Sequence, residues 1–250
     1  MDKGLWIESW KLRVKLKAYK RHVEHSKEVI RRSLDSGVKF ALSWSGGKDS
    51  TAMVHLVRSI APDISIITQF DDCDWPEKRP YIERICKAQG WQIYEVWPEI
   101  SVWDAITGVD LTGEVICDQG HWITRDAFIK PLEQKRKLLG CDGVFWGLRA
   151  QESNARGMNA AVNGELYQLK SGQWRCCPLA WWTVQDVFAY LIEHGVEINP
   201  CYFNNRFKSP EEIRLAWALP TPIGIGRGDM EHIKAYYPEQ YRRLQDVVLY

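Results

Sequence analysis

No stretch of the 250 residues approaches the roughly 20 consecutive apolar positions that a membrane-spanning helix needs, so no membrane partner is expected. The opening residues, Met1-Asp2-Lys3-Gly4-Leu5-Trp6, lack the apolar centre of a secretory signal. The seven cysteines are odd in number and show no zinc-type C-x-x-C spacing, which points away from a disulfide framework and toward a reduced, cytoplasmic protein. Net charge is also scarce. The 33 basic and 32 acidic residues leave +1, too little for the whole molecule to coat nucleic acid. What is abundant is apolar surface to bury: 45% hydrophobic residues, enough for a sizeable core. Thirteen tryptophans accompany it, most expected in the core and some beside polar loops, where a flat ring stacks on a base.

The most informative stretch is Ser45-Gly46-Gly47-Lys48-Asp49-Ser50. The apolar run Val38–Trp44 before it reads as a buried strand, and Thr51–Val57 after it has apolar residues at helical spacing. A strand, a glycine turn and a helix start in that order make a phosphate cradle. The glycines remove the Cβ atoms that would hold an oxyanion off the backbone. The N–H groups of the first helical turn and the helix dipole both favour an anion there. Ser45 and Ser50 add hydroxyls, and Lys48 adds a positive charge. The spacing is shorter than that of the Gly-x-x-x-x-Gly-Lys-Ser/Thr loop, and an aspartate follows the lysine.

Residues 11–32 carry nine Lys or Arg against two Glu, which is +7 and leaves −6 for the rest of the chain. Leu12, Leu16, Tyr19 and Val23 form an apolar stripe at helical spacing, so one basic helix is expected. A nucleic-acid contact is one reading of it. The preferred reading is a solvated helix held to the domain by its stripe. Residues 63–70 read as a second strand ending in Asp71-Asp72-Cys73-Asp74, whose carboxylates either meet a ribose, an adenine or Mg2+, or cap a helix before Trp75-Pro76-Glu77. A helix over 77–88, a strand over 91–96, a long loop over 98–121, a helix over 124–139 and a strand over 142–146 follow. That strand leads to Gly147-Leu148-Arg149 and on to Arg156, read as a loop carrying two arginines suited to phosphate or sulfate. Residues 165–175 read as a hairpin turning at Ser171-Gly172, Cys176-Cys177 as a buried strand end, and Thr183 as the N-cap of a helix running to His194. Short helices are expected around 210–218, 230–237 and from Pro238 toward Val248, with a glycine-rich turn at 224–228.

Three stretches together resemble the phosphoadenosine phosphosulfate (PAPS) reductase family of the PP-loop, adenine nucleotide α-hydrolase superfamily. They are Ser45–Ser50, Gly147-Leu148-Arg149 through Arg156, and Pro178-Leu179-Ala180-Trp181-Trp182-Thr183 through Tyr202. The small subunit of ATP sulfurylase and the sulfur-incorporating proteins of DNA phosphorothioation are related. The resemblance spans about residues 35–205. It implies an α/β, Rossmann-like fold, a mostly parallel sheet with helices on both faces. The expected division is a basic helical segment over 1–36, a nucleotide-binding domain over 37–205 and a helical extension over 206–250. It also implies a nucleotide site built from Ser43, Ser45, Gly46, Gly47, Lys48, Asp49, Ser50, Asp72, Gly147 and Arg149. Lys48, Arg149 and Arg156 would be catalytic, and Lys130 before Pro131-Leu132 loosely resembles a family lysine.

The departures matter as much. Members that reduce sulfonucleotides carry a nucleophilic cysteine in a Glu-Cys-Gly-Leu-His segment, and this chain has no cysteine after Cys201. The cysteine pairs of iron–sulfur members are also absent, so no cluster is expected. The expected activity is therefore cleavage of ATP between its α and β phosphates with Mg2+, adenylating an anionic acceptor in sulfur-related metabolism or modification. The alternatives are thiol-dependent reduction of PAPS or adenosine phosphosulfate through Cys176, Cys177 or Cys201, and a nucleotide-binding regulatory subunit with a protein partner or as a homo-oligomer.

Overall fold

The computed structural model describes residues 3–72, 74–99, 129–205, 208–213 and 229–242. Its centre is a six-stranded sheet in the order β3-β2-β1-β4-β6-β5. The strands are β1 (Phe40–Trp44), β2 (Ile66–Gln69), β3 (Ile93–Val96), β4 (Gly143–Phe145), β5 (Leu166–Gln168) and β6 (Trp174–Cys176). Strand β1 runs parallel to β2 and β4, β4 runs parallel to β6, and β5 is antiparallel to its neighbour β6. This is the expected α/β, mostly parallel architecture. Strands β1 and β2 are buried along almost their whole length, as a sheet covered on both sides requires.

The order explains where a ligand belongs. From β1 the chain winds outward to β2 and β3, then returns to β4 on the other side of β1. Strands β1 and β4 therefore flank the point where winding reverses, and open sheets of this kind bind ligands beyond the carboxyl ends of such strands. Both informative sequence stretches leave those two ends.

The connecting helices are α3 (Lys48–Arg58), α4 (Lys78–Gln89), α5 (Lys130–Leu138), α6 (Asn154–Asn163) and α7 (Val184–Glu193). Thr183 caps α7 as expected: its hydroxyl accepts the Asp186 N–H, and the Asp186 carboxylate accepts the Thr183 N–H in return. Helix α6 was not foreseen. Its N-cap is Ser153, whose hydroxyl accepts the Arg156 N–H, so Arg156 lies on a helix rather than on the expected loop. Helix α8 (Asp229–Tyr236) matches the expected helix at 230–237, and a further helical turn starts at Pro238. Pro210–Ile213 form a turn or irregular backbone where a helix start was expected. The stretches 98–121 and 224–228 lie wholly or almost wholly outside the described residues, as does the start of the helix expected at 124.

The basic N-terminal region is two helices, not one: α1 (Lys3–Val14) and α2 (Lys17–Asp35). The break at Lys15-Leu16 corrects the expected stripe, because a bend there rotates the second helix out of register with the first. Leu12 and Leu16 are 61% and 48% exposed, while Tyr19 and Val23 are buried. What docks α1 and α2 is a set of contacts to α7. The Trp10 ring stacks on Phe188 at 4.1 Å. Arg13 Nε donates to Asp186 at 2.8 Å, His22 Nδ1 lies 2.9 Å from the same carboxylate, and the Tyr19 hydroxyl donates to Glu193.

The chain forms two compact units. One comprises residues 1–68, 81–94 and 135–199, and the other 69–80, 95–134 and 200–250. The first therefore includes α1 and α2 together with β1, β4, β5 and β6. In the second, Trp75 packs on Tyr237 at 4.8 Å, and the Tyr237 hydroxyl donates to Glu77 at 2.9 Å. No helix among the described residues is long and apolar enough to cross a membrane.

Candidate functional site

Ser45, Gly46 and Gly47 link β1 to α3, and the turn is held by its own hydroxyls. Gly46 has φ +76°, a conformation that side chains resist. The Ser50 hydroxyl donates to the Gly47 carbonyl at 3.0 Å and lies 3.0 Å from the Ser45 hydroxyl. Ser45 N–H in turn donates to Ser50 Oγ at 3.2 Å. Gly47 is the N-cap of α3, and no side chain caps that end. An uncapped helix start behind a glycine turn presents backbone donors and the positive end of a dipole. Ser45 is exposed at the turn, and Ser43 is half-buried on β1.

Lys48 delivers its positive charge from a buried position at the start of α3. Its side chain is 3% exposed and its ammonium sits 3.2 Å from the Asp49 carboxylate. The same carboxylate accepts from Arg149 Nε. Burial pushes the Asp49 carboxyl up, but Lys48 and Arg149 outweigh it and hold it below the usual carboxylate range. Asp49 thus stays ionised and ties the turn after β1 to the turn after β4.

Gly147 makes that junction possible. A Cβ there would lie 2.7 Å from Ser50 Cα and N and 2.8 Å from the Asp49 carbonyl carbon, so only glycine lets the two backbones approach. Arg149 itself is 6% exposed. Its N–H donates to Glu152 at 2.9 Å, and Glu152 also binds the Arg156 guanidinium. Sequence reasoning missed Glu152. The signal was there, since a glutamate three residues after a turn residue is the second half of a capping box, and this one closes on Arg149.

The structure brings together Ser45–Ser50, Gly147, Arg149 and, through Glu152, Arg156. Asp72 is exposed and belongs to the second compact unit. Within that unit the Asp74 carboxylate accepts the Asp71 N–H at 3.0 Å and pairs with Lys78. Burial raises the Asp74 carboxyl despite Lys78.

The adjacent cysteines separate, as alternating strand residues do. Cys176 is fully buried, its sulfur 3.2 Å from the Ser33 hydroxyl on α2. Cys177 packs with Ala160 and Ala180 under α6. Burial pushes the Cys176 thiol up strongly, the Cys177 thiol to about 11 and the Cys201 thiol to about 12. All three are therefore protonated thiols near neutral pH. No group of three or more His, Cys, Asp or Glu side chains gathers with metal-binding geometry among the described residues.

Known proteins carry the same architecture. In sequence, a PAPS reductase of Photobacterium profundum is 25% identical over 177 residues, covering 70% of this chain and 68% of its own. The chain spans 65 to 68% of the length of the first such curated relatives. Among solved structures, the Candida auris PAPS reductase in a phosphate complex superposes with a TM-score of 0.56 at 17% identity, covering 84% of this chain and 94% of that one. Candida glabrata FMN adenylyltransferase gives 0.57 at 12% identity, covering 82% and 68%. At those identities the structures speak for the fold alone. The family model described as "Phosphoadenosine phosphosulfate reductase domain" matches residues 39–246, from the start of β1 to beyond α8. With the glycine turn, the Gly147 junction and the Arg149 tie all inside that span, the chain belongs to the phosphoadenosine phosphosulfate reductase domain family.

Proposed function

We propose that the turn between β1 and α3 binds the phosphates of an adenine nucleotide and that the protein is an enzyme acting there on ATP. The acceptor oxyanion attacks the α-phosphorus, the bridging bond to the β-phosphate breaks, and pyrophosphate leaves with that bond's electron pair. The product is an adenylated acceptor. The observation that carries this reading is the uncapped, glycine-entered start of α3 at the switch point of the sheet, locked by Asp49 to Arg149. Charge developing on the leaving pyrophosphate meets backbone donors that are already oriented, so little reorganisation is needed. Lys48 supplies positive charge from behind the turn, and Arg156, linked to Arg149 through Glu152, is assigned to positioning the acceptor. A solved structure of this fold, FMN adenylyltransferase, was determined in complex with ATP, so the fold itself is compatible with that nucleotide.

The described side chains do not fit a protein-held Mg2+. Asp49 is already shared by two cations, and no three ligands converge. A magnesium ion would travel on the nucleotide's own phosphates, and no step here depends on it.

The reductase reading is favoured by the names of the curated relatives. It requires a thiolate. Cys177 lines a pocket, but its thiol is raised to about 11. Calorimetric titration with ATP and with PAPS, followed by assay of pyrophosphate release across anionic acceptors, separates the two. Binding of ATP and acceptor-dependent pyrophosphate release are expected. Thioredoxin-dependent sulfite release that disappears in Cys177→Ser would overturn the adenylyl reading.

A further inference from the structure

A pocket of about 270 Å³ lies between α6 and the β5–β6 hairpin. That is about nine times the volume of a liquid water molecule and more than a bare oxyanion fills. Leu148, Ala150, Ala160 and Ala180 of its lining pack together as an apolar wall. The lining also carries Arg156, Arg175 and Tyr167.

The three arginines of its lining are not equivalent. Arg149 is spent on Asp49, and Arg156 is paired with Glu152. Arg175 has no carboxylate within ion-pair distance among the described residues. Its guanidinium lies over the Trp146 ring, 5.0 Å from the centroid. Its Nε is buried with no hydrogen-bond partner. A buried donor without an acceptor is costly, and more so on a cation, so such a group points to a missing acceptor. Tyr167 does not supply it: its hydroxyl accepts from Asn159 at 2.9 Å and bonds the Cys177 thiol.

We propose that this pocket binds an organic oxyanion, a sulfonate or phosphate head borne on a small apolar body, with the head on Arg175 flanked by Arg156 and the body against the alanine wall. The inference stands on the pocket alone, whether or not the glycine turn transfers an adenylyl group.

The test is calorimetric titration with benzenesulfonate, with neutral benzenesulfonamide of the same shape, and with inorganic sulfate. Benzenesulfonate is expected to bind at least tenfold more tightly than either, because the sulfonamide lacks the charge and sulfate lacks the body. Arg175→Gln is expected to erase the preference for the sulfonate. Arg175 is half-buried, so melting temperature is followed in parallel. If that variant unfolds, Ala155→Phe decides the question. Ala155 is exposed on α6 at the pocket lining, where a larger side chain narrows the mouth without entering the core. It is expected to weaken benzenesulfonate at least threefold. Equal affinity for sulfonate and sulfonamide, no binding of either, a sulfonate preference that survives in folded Arg175→Gln, or undiminished benzenesulfonate affinity in Ala155→Phe would overturn the proposal.

Discussion

Asp49 and Asp186 are the same device used for two purposes. Each is a carboxylate in the first turn of a helix, and each binds an arginine distant in sequence. For each, burial raises the carboxyl and its cationic and hydrogen-bonding partners more than reverse this, so both stay ionised. Asp186 is fully buried, and its oxygens are taken by Thr183, Arg13 and His22. It joins α1 and α2 to α7, and the start of its helix is closed by its own capping box. Asp49 is 16% exposed and joins two turns, while the start of its helix has no side-chain cap. A carboxylate that also caps its helix holds a fold together. One that braces a helix start left open holds a site.

Substitutions should therefore separate the two. Asp186→Ala is expected to cost the most, about 3 kcal/mol of stability, because it removes a cap and leaves Arg13 and His22 facing a buried gap. Chemical denaturation measures the loss, and nucleotide affinity of the remaining folded fraction should be unchanged. If nucleotide binding fell while stability held, the assignment of Asp186 to scaffold would be wrong.

Gly147→Ala reverses the pattern. The added methyl overlaps the Ser50 backbone, and re-spacing the two turns costs about 1–3 kcal/mol. Most of it should appear as a roughly tenfold or greater loss in ATP affinity by calorimetry. Wild-type affinity in this variant would show that the junction plays no part in binding.

The pH dependence sharpens the comparison further. The folded carboxyls of Asp49 and Asp186 lie below their unfolded values. Their contributions are thus present above the usual carboxylate pKa and are lost as pH falls through the lowered folded values. His55 adds an earlier loss. Burial and neighbouring His194 lower it to about 4, so below about 6.5 the unfolded chain takes up a proton that the folded chain refuses until about 4. His55→Gln should flatten the stability profile between those values and leave the more acidic carboxylate loss in place. An unaltered slope between pH 4 and 6.5 would show that His55 does not titrate there. The smallest effect is expected at Lys11, whose pair with Glu8 is exposed on both sides. Lys11→Ala should shift stability by less than about 0.5 kcal/mol in denaturation, within the range of surface pairs.

How far the sequence speaks depends on how local the cause is. The β1–turn–α3 cradle, the Thr183 cap and the turn at Ser171-Gly172 were readable because a few neighbouring residues decide each one through φ angles, capping and periodicity. The 11–32 helix misled because its apolar spacing is regular but its bend is not encoded in that spacing. Helix α6 was missed because alanine, glycine and asparagine give little apolar contrast. The sequence alone shows no run long and apolar enough for a membrane-spanning helix, and the order of glycine turn, Gly147-Leu148-Arg149 and Pro178-Leu179-Ala180 pointed to the family and its mostly parallel sheet. Only the tertiary structure decided that Lys48 lies buried against Asp49, that Asp49 reaches Arg149 a hundred residues on, that Cys176 and Cys177 part to opposite sides, and that Arg175 stands over Trp146 with its Nε unmet. Those are pairings across strands and helices, and charge, burial and hydrogen bonding between distant residues take their values only once the sheet has set the distances.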